Sequence, residues 1–354
     1  MLRRVRDGAR VKSALVAAVL WAASAISCGG SREVILRTAA GAEVTAEQID
    51  RDPLWLLPPA GIGWFHLDVA LASRSELGRE VLSDLEARLA LPASAGFSLG
   101  RDISELSVAT YSMQGLDFAG VARGQFDATR ISAAALEYKG GVMPQLTRSQ
   151  YAGRTLFTAA RVGFVIVTPH TALFGNDIAM RRCLDRIAES RVADDLPTWA
   201  KELLATPNAT FSAGVDLKGS ALTATLPSRL AALQGASMAR AVGNFDPPGI
   251  NLAGTISHSD HEAARASANG LLQAGGSLNM YGRLFGLGQP IQKMETQAVG
   301  NDAQLVLAVD GAAVQVLMKR FLPPPPVAPE HSGPGWAGLT SSGKKAQLGT
   351  SAAP

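Results

Sequence analysis

The chain has little cysteine. Among its 354 residues only Cys28 and Cys183 carry a thiol. Two cysteines cannot form the disulfide framework that stabilises many small secreted domains, and no Cys cluster is present that could hold zinc. The folded part must therefore be stabilised by apolar burial, which a chain with roughly 260 folded residues can supply.

The N-terminus also lacks an apolar run of membrane-spanning length. The apolar stretch at 13–26 is too short for a comfortable bilayer span. It follows a basic head in which a single acid, Asp7, stands against five basic residues: Arg3, Arg4, Arg6, Arg10 and Lys12. This combination is typical of a secretory signal, so we expect the chain to be exported.

The small-residue run Ala25-Ile26-Ser27-Cys28 resembles the lipobox of bacterial lipoproteins. The resemblance implies that Cys28 receives diacylglycerol, that the preceding peptide is removed and that the new N-terminus is acylated. Gly29, which follows the cysteine, implies passage to the outer membrane. The run departs from the family pattern at Ala25, where leucine is usual. Two alternatives therefore stay open: ordinary signal cleavage after Ala25, with Cys28 left as a thiol, and an uncleaved membrane anchor.

The basic excess of the chain belongs mainly to this leader. The whole sequence has 33 basic and 30 acidic residues. The first 27 residues hold five basic residues and one acidic residue, which leaves 28 and 29 in the remainder. A nearly neutral mature chain gives no support for nucleic-acid binding, because that function requires a basic surface.

Changes in composition divide the sequence into five segments. We predict a signal peptide over 1–27, a tether over 28–57, a first globular unit over 58–195, a second over 208–322 and a disordered tail over 323–354. The tail is rich in Pro, Gly, Ala and Ser, and it cannot bury enough apolar surface to offset its ordering entropy.

Apolar periodicity gives the two units a similar order of elements. For the first unit we predict, in chain order, a strand (64–70), a helix (73–91), a hairpin (106–126), a helix (127–135), a hairpin (154–168) and a helix (177–189). For the second we predict the shorter series 211–217, 220–233, 250–254, a helix starting near Asp260, a hairpin at 296–310 and a helix at 312–321. This order favours an α+β fold with two similar units of antiparallel or mixed sheet and helices packed on one face.

One pattern suggests hydrolase chemistry. Gly96-Phe97-Ser98-Leu99-Gly100 matches the G-x-S-x-G nucleophile elbow, and Asp177 and His258 could complete a triad. The elbow requires a strand before the serine and a helix after it, whereas here a helix precedes and a strand follows. We therefore interpret Ser98 as part of a turn.

A second pattern suggests a metal site. His258-Ser259-Asp260-His261-Glu262 is the densest group of candidate ligands, and two histidines could bind zinc if further ligands converged there. The alternative is structural: Ser259 and Glu262 would form a helix capping box, with Asp260 facing the positive end of the helix. Cys183 lies on the apolar side of its predicted helix, which favours a buried structural thiol.

These patterns predict an exported, lipid-anchored envelope protein without catalysis, cofactor or bound metal. We expect it to bind a protein partner or a small apolar ligand, with the groove between the two units as a favourable place for a pocket. Two alternatives remain: an envelope hydrolase or metal-dependent enzyme that uses Ser98 or His258 and His261, and a passive surface spacer.

Overall fold

A computed structural model describes residues 44–87, 97–112, 117–137, 146–159, 161–218, 234–284 and 288–321. The predicted signal peptide, Cys28, most of the tether, the helix expected at 220–233 and the tail lie outside these residues. They remain sequence-based expectations.

Twelve strands and nine α-helices are described within these residues. The strands are β1 Gly63–Asp68, β2 Ile103–Ser112, β3 Asp117–Gly124, β4 Thr147–Tyr151, β5 Arg154–Ala159, β6 Val162–Ile166, β7 Thr171–Asn176, β8 Phe211–Asp216, β9 Met238–Asn244, β10 Gly249–Ser257, β11 Ile291–Val299 and β12 Asp302–Asp310. The helices are α1 Ala46–Arg51, α2 Val69–Ala72, α3 Glu76–Glu86, α4 Leu99–Asp102, α5 Ala128–Glu137, α6 Asp177–Ala188, α7 Thr198–Leu204, α8 His261–Leu284 and α9 Gly311–Phe321. A 3-10 turn, Pro53–Leu56, follows α1.

All twelve strands belong to one sheet in the order β11-β12-β10-β9-β8-β1-β2-β3-β7-β6-β5-β4. Every neighbouring pair is antiparallel, as at the centre, where β1 pairs with β8 from Gly63 opposite Val215 to Leu67 opposite Phe211. The expected α+β class with an antiparallel sheet is thus confirmed. Strands β2–β7, from the first part of the chain, lie on the β1 side of this central pair, and β9–β12 lie on the β8 side.

Helices pack on both faces of the sheet, so the prediction of helices on one face is wrong. Trp64, Val121 and Leu173 point to a core that contains α6 and the 3-10 turn. Their strand neighbours Ala122 and Ala172 point the other way, into a core that includes side chains of α3, α5 and α9. Successive side chains of a strand face opposite sides of the sheet. A strand with apolar residues at adjacent positions therefore needs helices or loops packed on both faces of the sheet.

Local sequence signals explain several element ends. The Asn176 side chain accepts a hydrogen bond of 2.9 Å from the Ala179 amide at the start of α6, and Asp127 accepts one of 2.9 Å from the Arg130 amide at the start of α5. Such caps satisfy amides that have no partner within the helix. Gly300, with φ of 58°, turns β11 into β12 as the sequence predicted. The α5, α6, α9 and β11–β12 predictions are confirmed to within a few residues.

Other elements differ from the sequence-based expectation. The strand predicted at 64–70 ends at Asp68, because this side chain accepts a 2.7 Å hydrogen bond from the Leu71 amide and starts α2. Strands β4, β7 and β9 and helix α7 were not predicted. None of the helices described in residues 44–321 is both long and apolar enough to cross a membrane.

Candidate functional site

Ser98 does not occupy a nucleophile elbow. It is the residue before α4, and its hydroxyl donates to a carboxylate oxygen of Glu86 at 3.0 Å. The same Glu86 oxygen accepts the Leu99 amide at 2.8 Å, and Asp102 accepts the Ser98 amide at 2.7 Å. The serine therefore links α3 to α4, which is a structural arrangement.

The other members of the imagined triad have different partners. Asp177 pairs with Arg181 at 2.9 Å, one turn along α6. His258 lies at the far end of β10, where its backbone amide donates to the Asn301 carbonyl at 2.9 Å. No described hydrogen bond joins Ser98, Asp177 and His258, and hydrolysis by a triad requires those bonds.

The His258 cluster forms a helix start and not a set of converging ligands. The imidazole of His261 contacts the Gly300 carbonyl at 2.7 Å, which ties α8 to the β11–β12 turn. His258 is only 6% exposed, and neither ring nitrogen makes a well-formed hydrogen bond. Burial lowers the pKa of His258, while Asp260 and Asp302 oppose this effect. Among the residues that the structure describes, no group of three His, Cys, Asp or Glu is placed to hold a metal ion.

The cap of α8 is also different from the predicted one. Asp260, and not Ser259, accepts the Ala263 amide, at 2.8 Å, while the Ser259 hydroxyl donates to the other carboxylate oxygen of Asp260. Hydrogen bonds from this amide and this hydroxyl lower the pKa of Asp260. A carboxylate at a helix N-terminus also interacts favourably with the helix dipole.

A row of polar side chains crosses the centre of the sheet, and sequence patterns did not predict it. His66 lies opposite Ser107 on β2 and opposite Ser212 on β8. Its Nδ1 lies 2.8 Å from the Ser107 hydroxyl, and burial lowers its pKa. Ser107 is only 4% exposed, and its hydroxyl satisfies the half-buried imidazole.

Next to this row is a cavity of about 330 Å³ between the 3-10 turn and α7. Its walls include three cations, Arg51, Arg123 and Lys201. These cations already have partners: Arg51 pairs with Glu47 at 3.5 Å, Arg123 donates to the Arg51 carbonyl at 2.8 Å, and Lys201 pairs with Asp194 at 2.8 Å. Apolar ligands require pockets with few charged groups, so this cavity does not fit one.

A larger cavity of about 690 Å³ lies where the first and second parts of the chain meet. Leu71, Leu77 and Phe245 form its apolar portion. The remaining lining is largely polar and includes Arg74, Glu76, Asn208, Asn244, Asp246 and Gln315. The cavity between the two parts is therefore a largely polar cleft and not an apolar pocket.

Exposed apolar side chains concentrate on the last thirteen residues of α8, from Leu272 to Leu284. Five of the thirteen large apolar side chains that are exposed among the described residues belong to it, and we call them the α8 apolar surface: Leu272, Leu278, Met280, Tyr281 and Leu284. From Ala266 to Gly282 this helix contains no charged residue. The sequence did not predict this surface, because the helix is only moderately hydrophobic and rich in small residues. Exposure also depends on what packs beside the helix.

No family model matches the chain, and no curated protein matches it. Among solved structures, crystal form III of TP0453 superposes with a TM-score of 0.50 at 10% sequence identity, covering 75% of this chain and 97% of that one. Crystal form I of TP0453 gives a TM-score of 0.47 at 12% identity, covering 76% and 97%. At such identities the first likeness shows a shared fold alone, since one fold can host unrelated functions.

Proposed function

We propose that this chain is an exported, lipid-anchored protein of the bacterial envelope that binds a protein partner and catalyses no reaction. The anchor is Cys28, acylated after removal of residues 1–27, and the outer membrane is its destination. The lipobox-like sequence and the basic leader support this part of the proposal.

The observation that supports partner binding is the α8 apolar surface. Soluble proteins rarely leave several large apolar side chains exposed together, and such patches typically mark interaction sites. Both cavities have polar or charged walls, which favours a protein partner over a small apolar ligand. A helix without charge over 17 residues suits a partner whose contacting face is also apolar.

The proposal also treats the two parts of the sheet as related units. Outward from the central β1–β8 pair, the orders β1-β2-β3-β7-β6 and β8-β9-β10-β12-β11 correspond strand by strand. Two short sequences, Leu67-Asp68-Val69 and Val215-Asp216-Leu217, occupy equivalent positions: each covers the last two residues of a central strand and the residue after it. A duplicated unit accounts for both observations.

Partner binding can be tested by capture from detergent-solubilised envelope with the native chain and two variants. Leu284→Glu introduces a charge into the α8 apolar surface, whereas Leu136→Glu changes a comparably exposed leucine on α5, at 56% against 73% exposure. We expect one protein to be retained by the native chain and by Leu136→Glu, and to be reduced about tenfold or more by Leu284→Glu. Equal capture by all three, or a stoichiometric apolar molecule in an extract of the purified chain, would contradict the proposal.

Anchoring has its own test. Cells fed labelled palmitate should label the native chain and not a Cys28→Ala variant, because an acyl chain needs the thiol. Label that persists in the variant, or a native chain that carries its intact leader in the cytosol, contradicts the anchor. Partner capture in detergent does not depend on this result.

A further inference from the structure

Strand β11 forms one open edge of the sheet. It has nine residues and no proline, and within the part of the chain that the structure describes its only sheet neighbour is β12. Gln292, Lys293, Glu295, Gln297 and Val299 are exposed along it. An edge of this length is a template for pairing with another strand, which proteins normally block or use.

The turn after β11 determines which of its peptide groups face outward. Val299 pairs with Asp302 across a two-residue turn, so these two residues exchange hydrogen bonds. Alternation along an antiparallel pair then directs the amides and carbonyls of Met294, Thr296 and Ala298 away from β12. Farther along, Asn279 of α8 already bonds both the amide and the carbonyl of Ile291, at 2.8 and 3.0 Å.

These three outward residues can pair with the same three residues of a second copy. An antiparallel arrangement with its two-fold axis at Thr296 places Met294 opposite Ala298 of the second copy and Thr296 opposite itself. Lys293 then faces Val299, and Glu295 faces Gln297, so no like charges meet. A self-complementary patch of this kind is what a two-fold interface requires.

Helix α8 fits the same arrangement. It packs across β11 and β12, and on the β11 side a side chain on Gly275 would overlap the sulfur of Met294. Continuing the sheet would place the two copies of α8 side by side, about 10 Å apart if each lies one strand spacing from the axis, which is a normal helix packing distance. Leu272 lies two turns before Asn279, on the side of α8 near the edge, and it is 51% exposed.

We propose that β11 is a homodimer interface at which a second copy of this chain extends the sheet and buries the Leu272 side of α8. The partner is the chain itself, because the outward peptide groups, the side-chain charges and the adjacent helix are all compatible with one two-fold axis. Of the α8 apolar surface, this interface uses Leu272, whereas the test of partner capture concerns Leu284 at the C-terminal end of the helix.

The protein mass of the full chain, purified in detergent, tests this proposal by light scattering coupled to gel filtration. The native chain should have the mass of two copies. Leu272→Glu should weaken the dimer about tenfold or more, since it buries a charge beside its symmetry mate. Leu278→Glu is the matched control: this leucine is similarly exposed, at 57%, but lies about 120° away around the helix, so the dimer should persist.

A second variant tests the strand pairing itself. Thr296→Pro removes an outward amide and leaves the β12 ladder intact, as proline does on an edge strand. We expect a folded monomer by circular dichroism, with faster hydrogen exchange at Met294 and Ala298 than in the native dimer. A native chain that stays monomeric at its solubility limit, or a dimer that survives both Leu272→Glu and Thr296→Pro, would falsify the proposal. Neither result bears on capture of a partner at Leu284.

Discussion

At the scale of single residues, buried polar groups in this protein are mostly structural. Arg186, 6% exposed, is the strongest example: its guanidinium makes two bonds to the Asp195 carboxylate, at 2.9 and 3.0 Å, and two to the Trp55 carbonyl, at 3.0 and 3.1 Å. It therefore joins α6, the 3-10 turn and the segment before α7. Cys183 is fully buried on the same helix, and burial raises the pKa of its thiol to about 12, which leaves it unreactive.

Replacing Arg186 should be costly. Arg186→Met leaves the Trp55 carbonyl without its donor and the half-exposed Asp195 without its counter-charge, so we expect a loss of about 2–3 kcal/mol. Arg191→Met removes an exposed pair with Glu189 and should cost less than about 1 kcal/mol. Urea denaturation compares the two, and equal losses would show that the buried arginine has no special role.

The burial of His258 should make the stability of the folded chain sensitive to acid. Burial lowers its pKa below the ordinary value of 6.5, so the unfolded chain binds a proton more readily than the folded chain. Stability from this residue is present above pH 6.5 and declines as the pH falls below it. His258→Leu should flatten the dependence of the melting temperature on pH between about 6.5 and 5. An unchanged slope would mean that protonation of His258 does not control acid unfolding in this range.

At the scale of elements, the ends of helices depend on short-range hydrogen bonds that sequence can suggest but not always assign. The region 258–262 contains two residues able to cap α8, and the patterns alone favoured Ser259. The structure selects Asp260, because α8 begins at His261 and the Asp260 carboxylate then reaches the Ala263 amide. One residue of difference in a helix start changes which side chain is the cap.

This assignment of the cap can be checked by substituting each of the two residues with alanine. Asp260→Ala should lower the melting temperature, because the Ala263 amide loses its cap. Ser259→Ala removes only a hydroxyl that donates to Asp260, and it should cost less. Thermal denaturation of both variants measures the difference, and a larger loss for Ser259→Ala would restore the predicted capping box.

At the scale of the whole molecule, both parts of residues 44–321 share one sheet. β1 pairs with β2 on one side and with β8 on the other. Phe211 of β8 and Phe245 beyond β9 pack with ring centroids 5.5 Å apart and join the core that contains Leu67 and Ala122. Because a core and a strand ladder run across the junction, the two parts should unfold together.

A variant in one part should therefore destabilise the other. A side chain on Gly243 of β9 would overlap the carbonyl oxygen of Asn251 and the ring of Phe211, so Gly243→Val should lower stability by several kcal/mol. Gly254→Ala, whose nearest atom is a backbone oxygen at 3.3 Å, should cost much less. Hydrogen exchange should show amides of β1–β3 and β8–β10 accelerated together in Gly243→Val. Acceleration confined to β8–β12 would mean two independent folding units.

Patterns within the chain predicted most of the local structure. Periodicity located β10–β12, α5, α6 and α9, because a helix or strand with one buried face repeats its apolar residues at a fixed interval. The order of the elements around Ser98 also argued against a nucleophile there, since that order can be predicted from neighbouring residues. Strands such as β9, whose residues are all half-buried, carry no such period and were missed.

Which elements lie side by side became known from the three-dimensional structure. It placed helices on both faces, joined the two parts through β1 and β8, surrounded His66 with serines from two other strands and left β11 and the α8 apolar surface exposed. These features depend on contacts between residues far apart in the chain. A pattern within one segment carries no information about which distant segment will cover it.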